Sequence, residues 1–599
     1  MTPVRSEINE KYKWDLSSIY PTSADFEKDL AETGKLIKSF PRHEKTMLEN
    51  GESLYQMFCD YTAIDRGISK LFEYASLSYD LDTSDNAFLA LRGKVLNLYN
   101  DAGAATFFVS PALISVNDET IARFFAQCPA LEEYRRSIET ERRYRPHTLS
   151  AECEKLMADI SGSMQSHSDI RAVFANSDLD FGKIVGPDYK KIELTDSNYV
   201  TLLHNPDRRV RRNAFFKLYE TYEQFGNTFS ALYNAYVKEQ TAHAKVRRYK
   251  DSLTASVFRD EVTPDIYNNL IATVRKNLSV LFDYYDLKRD VMGVEKLHLY
   301  DVYTPLIASC DREYTFEEGV DSLLDTVKIF GEEYYETLRR GILEEKWVDV
   351  YPTKGKRGGA YSAGCFDTSP YMLLNFNGKL DDVSTLAHEA GHSMHTYYSV
   401  KNNTPQECQY TIFVAEVAST VNELLWAHKK LRESESREEK LSILNQLLET
   451  YRGTLFRQTM FAEFEKTAHA LVEKGETLTK DLLCTTYRRL VKKYFGPSVV
   501  CDKQIALEWM RIPHFYTNFY VYKYATCISA ASYIVKRIET EGEGYIAKYL
   551  DFLKVGGSKS PLESLKVADV DLSRPEVIED ALADFAATVA QFRALYAEG

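Results

Sequence analysis

Along most of the chain, apolar and aromatic side chains return every three or four positions between charged ones, as in Leu91, Val95, Leu96 and Tyr99. That spacing lays an apolar stripe along a helix and predicts a mainly α protein. The pattern breaks twice. Phe181-Gly182-Lys183-Ile184-Val185, the turn Gly186-Pro187-Asp188 and Tyr189-Lys190-Lys191-Ile192-Glu193-Leu194 read as a short hairpin. Helix resumes at Asn205-Pro206-Asp207, which offers an N-cap, a proline for the first turn and an acid. A boundary near residue 200 is therefore expected, between an N-terminal helical region (1–200) and a second domain (201–599). The second break, residues 351–378, carries Gly355, Gly358, Gly359 and Gly364, then the strand-like run Tyr371-Met372-Leu373-Leu374-Asn375-Phe376 and an Asn377-Gly378 turn. The charge run from Arg432 to Lys440 reads as a solvated helix face, and no repeat of 30 to 50 residues is evident.

Composition narrows the partners. A chain of 599 residues with 44% apolar content can bury a large core. Its net charge of −14, from 88 acidic against 74 basic residues, gives no footprint for nucleic acid or anionic membranes. Met1-Thr2-Pro3-Val4-Arg5-Ser6-Glu7 leads into charged sequence without an apolar leader, and no run approaches the roughly 20 apolar residues of a membrane span, so a cytoplasmic location is expected. The nine cysteines (Cys59, Cys128, Cys153, Cys310, Cys365, Cys408, Cys484, Cys501 and Cys527) are scattered and contain no C-x-x-C pair. That suits small hydrophobes in a reducing compartment.

The chemistry concentrates at Leu386-Ala387-His388-Glu389-Ala390-Gly391-His392-Ser393-Met394-His395, in a stretch that begins with the possible cap Asp382. Histidines four residues apart on a helix are about 40° and one turn apart, so both can reach one ion. Glu389, next to the first, projects beside that ion, where a base must sit to take a proton from bound water. The small Ala387, Ala390 and Gly391 leave room for another backbone or a substrate.

A catalytic zinc site needs a third protein ligand and an open position. Downstream, Thr411-Ile412-Phe413-Val414-Ala415-Glu416-Val417-Ala418-Ser419-Thr420-Val421-Asn422-Glu423 places Glu416, Thr420 and Glu423 on one face of an apolar helix. Glu416 is assigned to the metal and Glu423 to a bond orienting a ligating imidazole; an ordinary solvated role for Glu423 stays open. His395 lies about 10 Å of rise from His388, too far for one ion to take all three histidines easily, and is taken as a wall or supporting residue. Zinc, one per chain, follows from a two-histidine, one-carboxylate set and ordinary availability. The segment Gly355-Lys356-Arg357-Gly358-Gly359 lacks the spacing of a phosphate-binding loop.

These residues resemble the oligoendopeptidase F group of the thimet-oligopeptidase-like metallopeptidases. The likeness extends to Phe366-Asp367-Thr368-Ser369-Pro370-Tyr371 through Phe376, to Pro513-His514-Phe515-Tyr516 through Tyr524-Ala525, and to Trp14-Asp15-Leu16-Ser17-Ser18-Ile19-Tyr20, nearly the whole chain. The resemblance implies a two-lobed, zincin-like helical metallopeptidase, with a small β element beside the active-site helix and a deep channel that admits short peptides and excludes folded proteins. One departure stands out: the wider family often carries proline two residues after its metal-binding glutamate, where this chain has Ala418.

Glu389 is then expected to activate a zinc-bound water and to pass its proton to the leaving amine. Donors for the oxyanion are sought in residues 511–524. If Pro513 opens a helix, His514, Asn518 and Tyr522 share one face, the choice for the active site, while Tyr516, Tyr520 and Tyr524 form a stripe that reads equally as core; Tyr520 is kept as a further catalytic candidate. The β element at 351–378 offers an edge to an extended peptide, with Gly359, Ala360 and Tyr361 as substrate-binding candidates, Tyr361 being as readily a packing residue. Two rival functions fit the same residues: a zinc carboxypeptidase and a catalytically silent peptide-binding protein.

Overall fold

The computed structural model describes residues 2–307 and 312–598; Met1 and Cys310 lie outside the described residues. Helix accounts for 72% of the chain and strand for 3%, so each core is built from helices packed on helices. Two compact units form, each from three stretches of chain: Met1–Thr148, Arg312–Lys429 and Ile534–Asp569 in the first, and Leu149–Asp311, Lys430–Tyr533 and Val570–Gly599 in the second. Residue 200, where the sequence suggests a boundary, lies inside the helix Asp196–Leu203 of the second unit.

In the first unit the long helix α1, Gly51–Leu81, starts where Asn50 accepts the Ser53 N–H at 2.9 Å, a side-chain cap for an otherwise orphaned donor. It packs beside α2, Asn86–Thr106. On α2 the inward positions are Val95 and Ala102, with Leu91 and Leu98 half-buried at the rim, whereas Leu96 and Tyr99 are exposed. Adjacent positions on a helix diverge by about 100°, so Val95 and Leu96 cannot both face the core.

Three short strands, β1 (Val348–Asp349), β2 (Tyr361–Ala363) and β3 (Tyr371–Leu373), form a sheet in the order β1-β3-β2, with β3 parallel to β1 and antiparallel to β2. Trp14 meets Tyr371 edge-on at 6.0 Å, and Ile19, Tyr20, Leu71, Ala75, Val95 and Leu373 close the same cluster. Thus the N-terminal and 366–376 motifs, some 350 residues apart, form one core. From this sheet the chain enters helix α3, Leu380–Asn402. Asp382 sits in its first turn and accepts the N–H groups of Asn377 (3.0 Å) and Lys379 (2.8 Å). Helix α4, Ile412–Glu433, follows.

The second unit contains the expected hairpin, Lys183–Val185 antiparallel to Lys191–Glu193, and several of its buried charges are paired. Asp301 takes Arg208 at 2.8 Å and Arg211 at 2.9 Å, and Glu508 takes Arg457 at 2.8 Å and the Tyr487 hydroxyl at 2.6 Å, as the cost of an unpaired buried ion demands. The run Arg432 to Lys440 is not one helix face. It ends α4, turns, and restarts as the helix Arg437–Tyr451 capped by Ser436, with Glu439 buried and 3.4 Å from Lys430. Cys128, Cys365, Cys408 and Cys527 are buried and Cys153 is exposed; no disulfide joins the described cysteines. Among the described residues, no helix is long and apolar enough to cross a membrane.

Candidate metal centre

His388 and His392 project from successive turns of α3, and Glu416 comes from α4. The helices meet closely at Gly391, where a Cβ would stand 2.6 Å from Ala418 O and from Ser419 Cα. Both neighbours are backbone and cannot rotate away. Gly391 therefore sets the distance at which Glu416 meets the imidazoles. Gly391→Ala is expected to cost about 1–3 kcal/mol of stability, as overpacking does, and to weaken metal binding; a thermal melt and a zinc titration would read both.

Glu416 Oε2 lies 3.2 Å from His388 Nε2 and 3.4 Å from His392 Nε2. Donors held about 2.0–2.2 Å from a tetrahedral ion lie about 3.4 Å apart, so the three atoms fit the corners of such a site. Among the described residues, His388, His392 and Glu416 form the only group of three offering ligand atoms within 4.8 Å of one another. The electrostatics agree. Burial opposes charge on His388, yet hydrogen bonds to Glu416 and Glu423 lift its pKa to about 10. Burial also opposes charge on Glu416, and the two imidazoles overcome it, holding the carboxyl far below the usual range. The arrangement favours positive charge among the donors.

Glu423 accepts from His388 Nδ1 at 3.0 Å and from the Ser384 hydroxyl at 3.2 Å. With Nδ1 as donor, Nε2 is the nitrogen that faces Glu416, and a metal would take the place of its proton there. Glu389 stands apart from the donor group. It is buried, its Oε2 has no hydrogen-bond partner, and burial pushes its carboxyl above the ordinary range while His388 and His392 pull the other way. A basic oxygen beside the donors, uncommitted to them, is suited to moving a proton. His395 is enclosed and stacks flat on Tyr410, centroids 3.7 Å apart; burial depresses its pKa to about 3. It lies about two turns along α3 from His388, against Tyr410 and Phe552, and contributes no donor to the group.

The β sheet adjoins this centre through Ser362, whose hydroxyl is 2.8 Å from that of Ser393, the residue after His392. Met372 N–H donates to Trp347 O and Leu374 N–H to Asp349 O, both at 2.8 Å, so these positions of β3 face β1. The alternate positions, Tyr371 and Leu373, pair with Ala363 and Tyr361, and the Ser362 N–H and C=O point to the free edge. Gly359 enters this strand with φ of +83°, a left-handed turn that favours glycine. Ala360 is half-buried. The Tyr361 hydroxyl donates to Asp80 at 2.8 Å and its ring joins the core, so the strand presents its backbone edge while this side chain is committed to packing. Lys356 is likewise structural, bonded to the carbonyls of Asp349 and Tyr351.

His514, Tyr520 and Tyr522 belong to the second unit, and here the helical expectation fails. Pro513 opens a single 3-10 turn, Pro513–Tyr516; Phe519 takes φ of +49°; helix begins only at Tyr522. The break regroups the side chains. His514 stacks with Tyr520 (6.2 Å) and meets Tyr524 edge-on (6.1 Å), whereas Tyr522 is buried against Tyr267 at 4.9 Å. The Ser384 hydroxyl, the Ser362–Ser393 contact and the Tyr410 stack carry no motif in the sequence and emerge only from the fold.

The chain matches the family model of peptidase family M3 over residues 201–584 and that of oligopeptidase F over residues 113–181. It is similar to oligopeptidase PepF of Bacillus subtilis (strain 168), 39% identical over 97% of this chain and 86% of that protein. An oligoendopeptidase F homolog of Borreliella burgdorferi is 36% identical over 99% of each chain. Among solved structures, oligoendopeptidase-F from Enterococcus faecium superposes with a TM-score of 0.75 at 32% identity, over 96% of this chain and 99% of that one. Through a helical framework, a shared sequence from end to end and a His-Glu-x-x-His helix crossed by a glutamate, the chain belongs to peptidase family M3, in its oligopeptidase F group.

Proposed function

We propose that this peptidase hydrolyses internal bonds of short, unstructured oligopeptides with one zinc ion held by His388, His392 and Glu416, and with Glu389 as the base that activates the attacking water. The observation that carries the reading is the three-donor group with a buried, uncommitted carboxylate next to it. When bound, zinc supplies Lewis acidity, lowering the pKa of water and polarising the scissile carbonyl. Glu389 Oε2 takes the proton of the attacking water and returns it to the amide nitrogen as the C–N bond breaks; a carboxyl raised by burial is a stronger base, and takes that proton more readily, than one in water. Glu423 holds the His388 ring in one tautomer.

An extended substrate would add to the free edge of β2 at Ser362, through main-chain bonds that are indifferent to side chains, and broad specificity follows. Candidates for the oxyanion donors are His514, Tyr522 and Tyr520; the family likeness weighs toward Tyr522 with His514, and the burial of Tyr522 weighs toward packing. A cytoplasmic location belongs to the same proposal, supported by the scattered cysteines, and so does indifference to nucleic acid and anionic membranes, supported by the charge of −14.

A decapeptide blocked at both ends tests the activity. Mass spectrometry is expected to show internal cleavage, lost with chelator and restored by zinc. An intact peptide under the same conditions would favour an exopeptidase, and tight binding without cleavage a silent receptor; either result would overturn the reading.

A further inference from the structure

Helix α1 runs alongside β2 and the loop that follows it, and its charged residues meet that segment at measured points. At one end Asp80 accepts the Tyr361 hydroxyl at 2.8 Å and pairs with Arg357 at 3.2 Å; at the other Arg66 donates to Asp367 at 2.9 Å. Fourteen residues of helix from Arg66 to Asp80 span about 21 Å. Between these points the chain runs as strand from Tyr361 to Ala363 and then turns, the Thr368 N–H reaching Cys365 O at 3.2 Å. Glu73 lies midway along α1, seven residues from each and within about 20° of the same helix face, and so stands between these two anchoring contacts, near Tyr361, Cys365 and Tyr371.

The charges on this face are matched except one. Arg66 has Asp367, Asp80 has Arg357, and Lys70, on the adjoining face, has Asp29 at 3.2 Å. Glu73 has no ion pair among the described residues, and its Oε1 is enclosed with no hydrogen-bond partner. The neighbouring Ser76 hydroxyl is likewise enclosed and unpartnered. Burial, with the charge of Asp80 adding to it, lifts the Glu73 carboxyl to about 7. An acid placed there without a partner costs free energy, and nothing in the packing of this unit recovers it.

We propose that Glu73 is a specificity-determining residue that receives a cationic nitrogen of the substrate, either a lysine or arginine side chain or a free α-amino group, when the peptide lies along the β2 edge. The inference rests on the reading of that edge as the substrate strand. Backbone pairing at Ser362 sets the register, and the cation completes the row of opposite-charge contacts that Arg66 and Asp80 already make. A neutral peptide would still pair with the edge, leaving Glu73 unmatched; an acidic one would set two carboxylates together.

The test is a series of internally quenched peptides sharing one cleavable bond. Each carries lysine, norleucine or glutamate at one position along the edge, with the N-terminus either free or acetylated, and is cut by the zinc-loaded wild type and by Glu73→Gln. The wild type is expected to show a kcat/KM ratio of lysine to norleucine of at least tenfold at one position, and Glu73→Gln to bring it near one. If instead the free-amine to acetyl ratio carries the preference and collapses in the variant, the α-amino group is the cation. No preference in the wild type, or one that survives the substitution, would overturn the assignment while leaving peptidase activity intact. Failure of every peptide to be cut would remove the edge reading and this inference together. Glu73→Asp guards against a folding artefact: it keeps the charge and should retain part of the ratio that Glu73→Gln loses, and equal loss in both variants would count against a charge contact.

Discussion

Glu389→Gln is expected to keep its zinc and lose its turnover. Glutamine has the same shape and still accepts a hydrogen bond, so α3 and the donors His388, His392 and Glu416 are undisturbed; it cannot take a proton. General acid–base groups typically contribute about 10²–10⁴-fold, and Glu389 is asked both to deprotonate the attacking water and to protonate the leaving amine, so a fall in kcat of about 10³-fold or more is expected. KM should move little, since among the described residues no hydrogen bond joins this side chain to the β2 edge that would hold the peptide. Measured zinc content separates this outcome from a loss of the centre: near one ion per chain with little activity supports the proton role, and near wild-type activity would exclude it.

The two histidines were legible because helix geometry alone brings positions four apart together; no tertiary information is needed to see that His388 and His392 can share an ion. Glu416 was legible only as a polar residue on an apolar helix face. Its 3.2 Å approach to His388 depends on a helix crossing that Gly391 permits, and small residues in the motif hint at such a contact without naming the partner. Residues 513–524 were misread for a local reason. Helical periodicity was carried across a segment that makes one 3-10 turn and then passes through left-handed Phe519, whose N–H is taken by the buried Glu465 at 2.6 Å. Tertiary pairing overrode the local pattern and moved His514 from Tyr522 to Tyr520 and Tyr524. Glu73 shows the opposite case: on α1 it is one acid among many, and only the strand that α1 flanks makes it conspicuous.

The account stands on one ion shared by two turns of α3 and by α4, and Glu416→Ala addresses it most directly. Removing an outer partner of a metal ligand typically costs about 10–100-fold in affinity; removing a ligand itself should cost more. With Glu416 gone, His388 loses the neighbour that helps lift its pKa to about 10, and the remaining two imidazoles are poor holders of zinc. The decisive measurement is a competitive zinc titration of Glu416→Ala against wild type, with folding checked by circular dichroism. Affinity weakened by more than about 100-fold in a folded variant, together with loss of peptide cleavage, is the predicted result; zinc held as tightly as by the wild type would contradict the centre described for His388, His392 and Glu416.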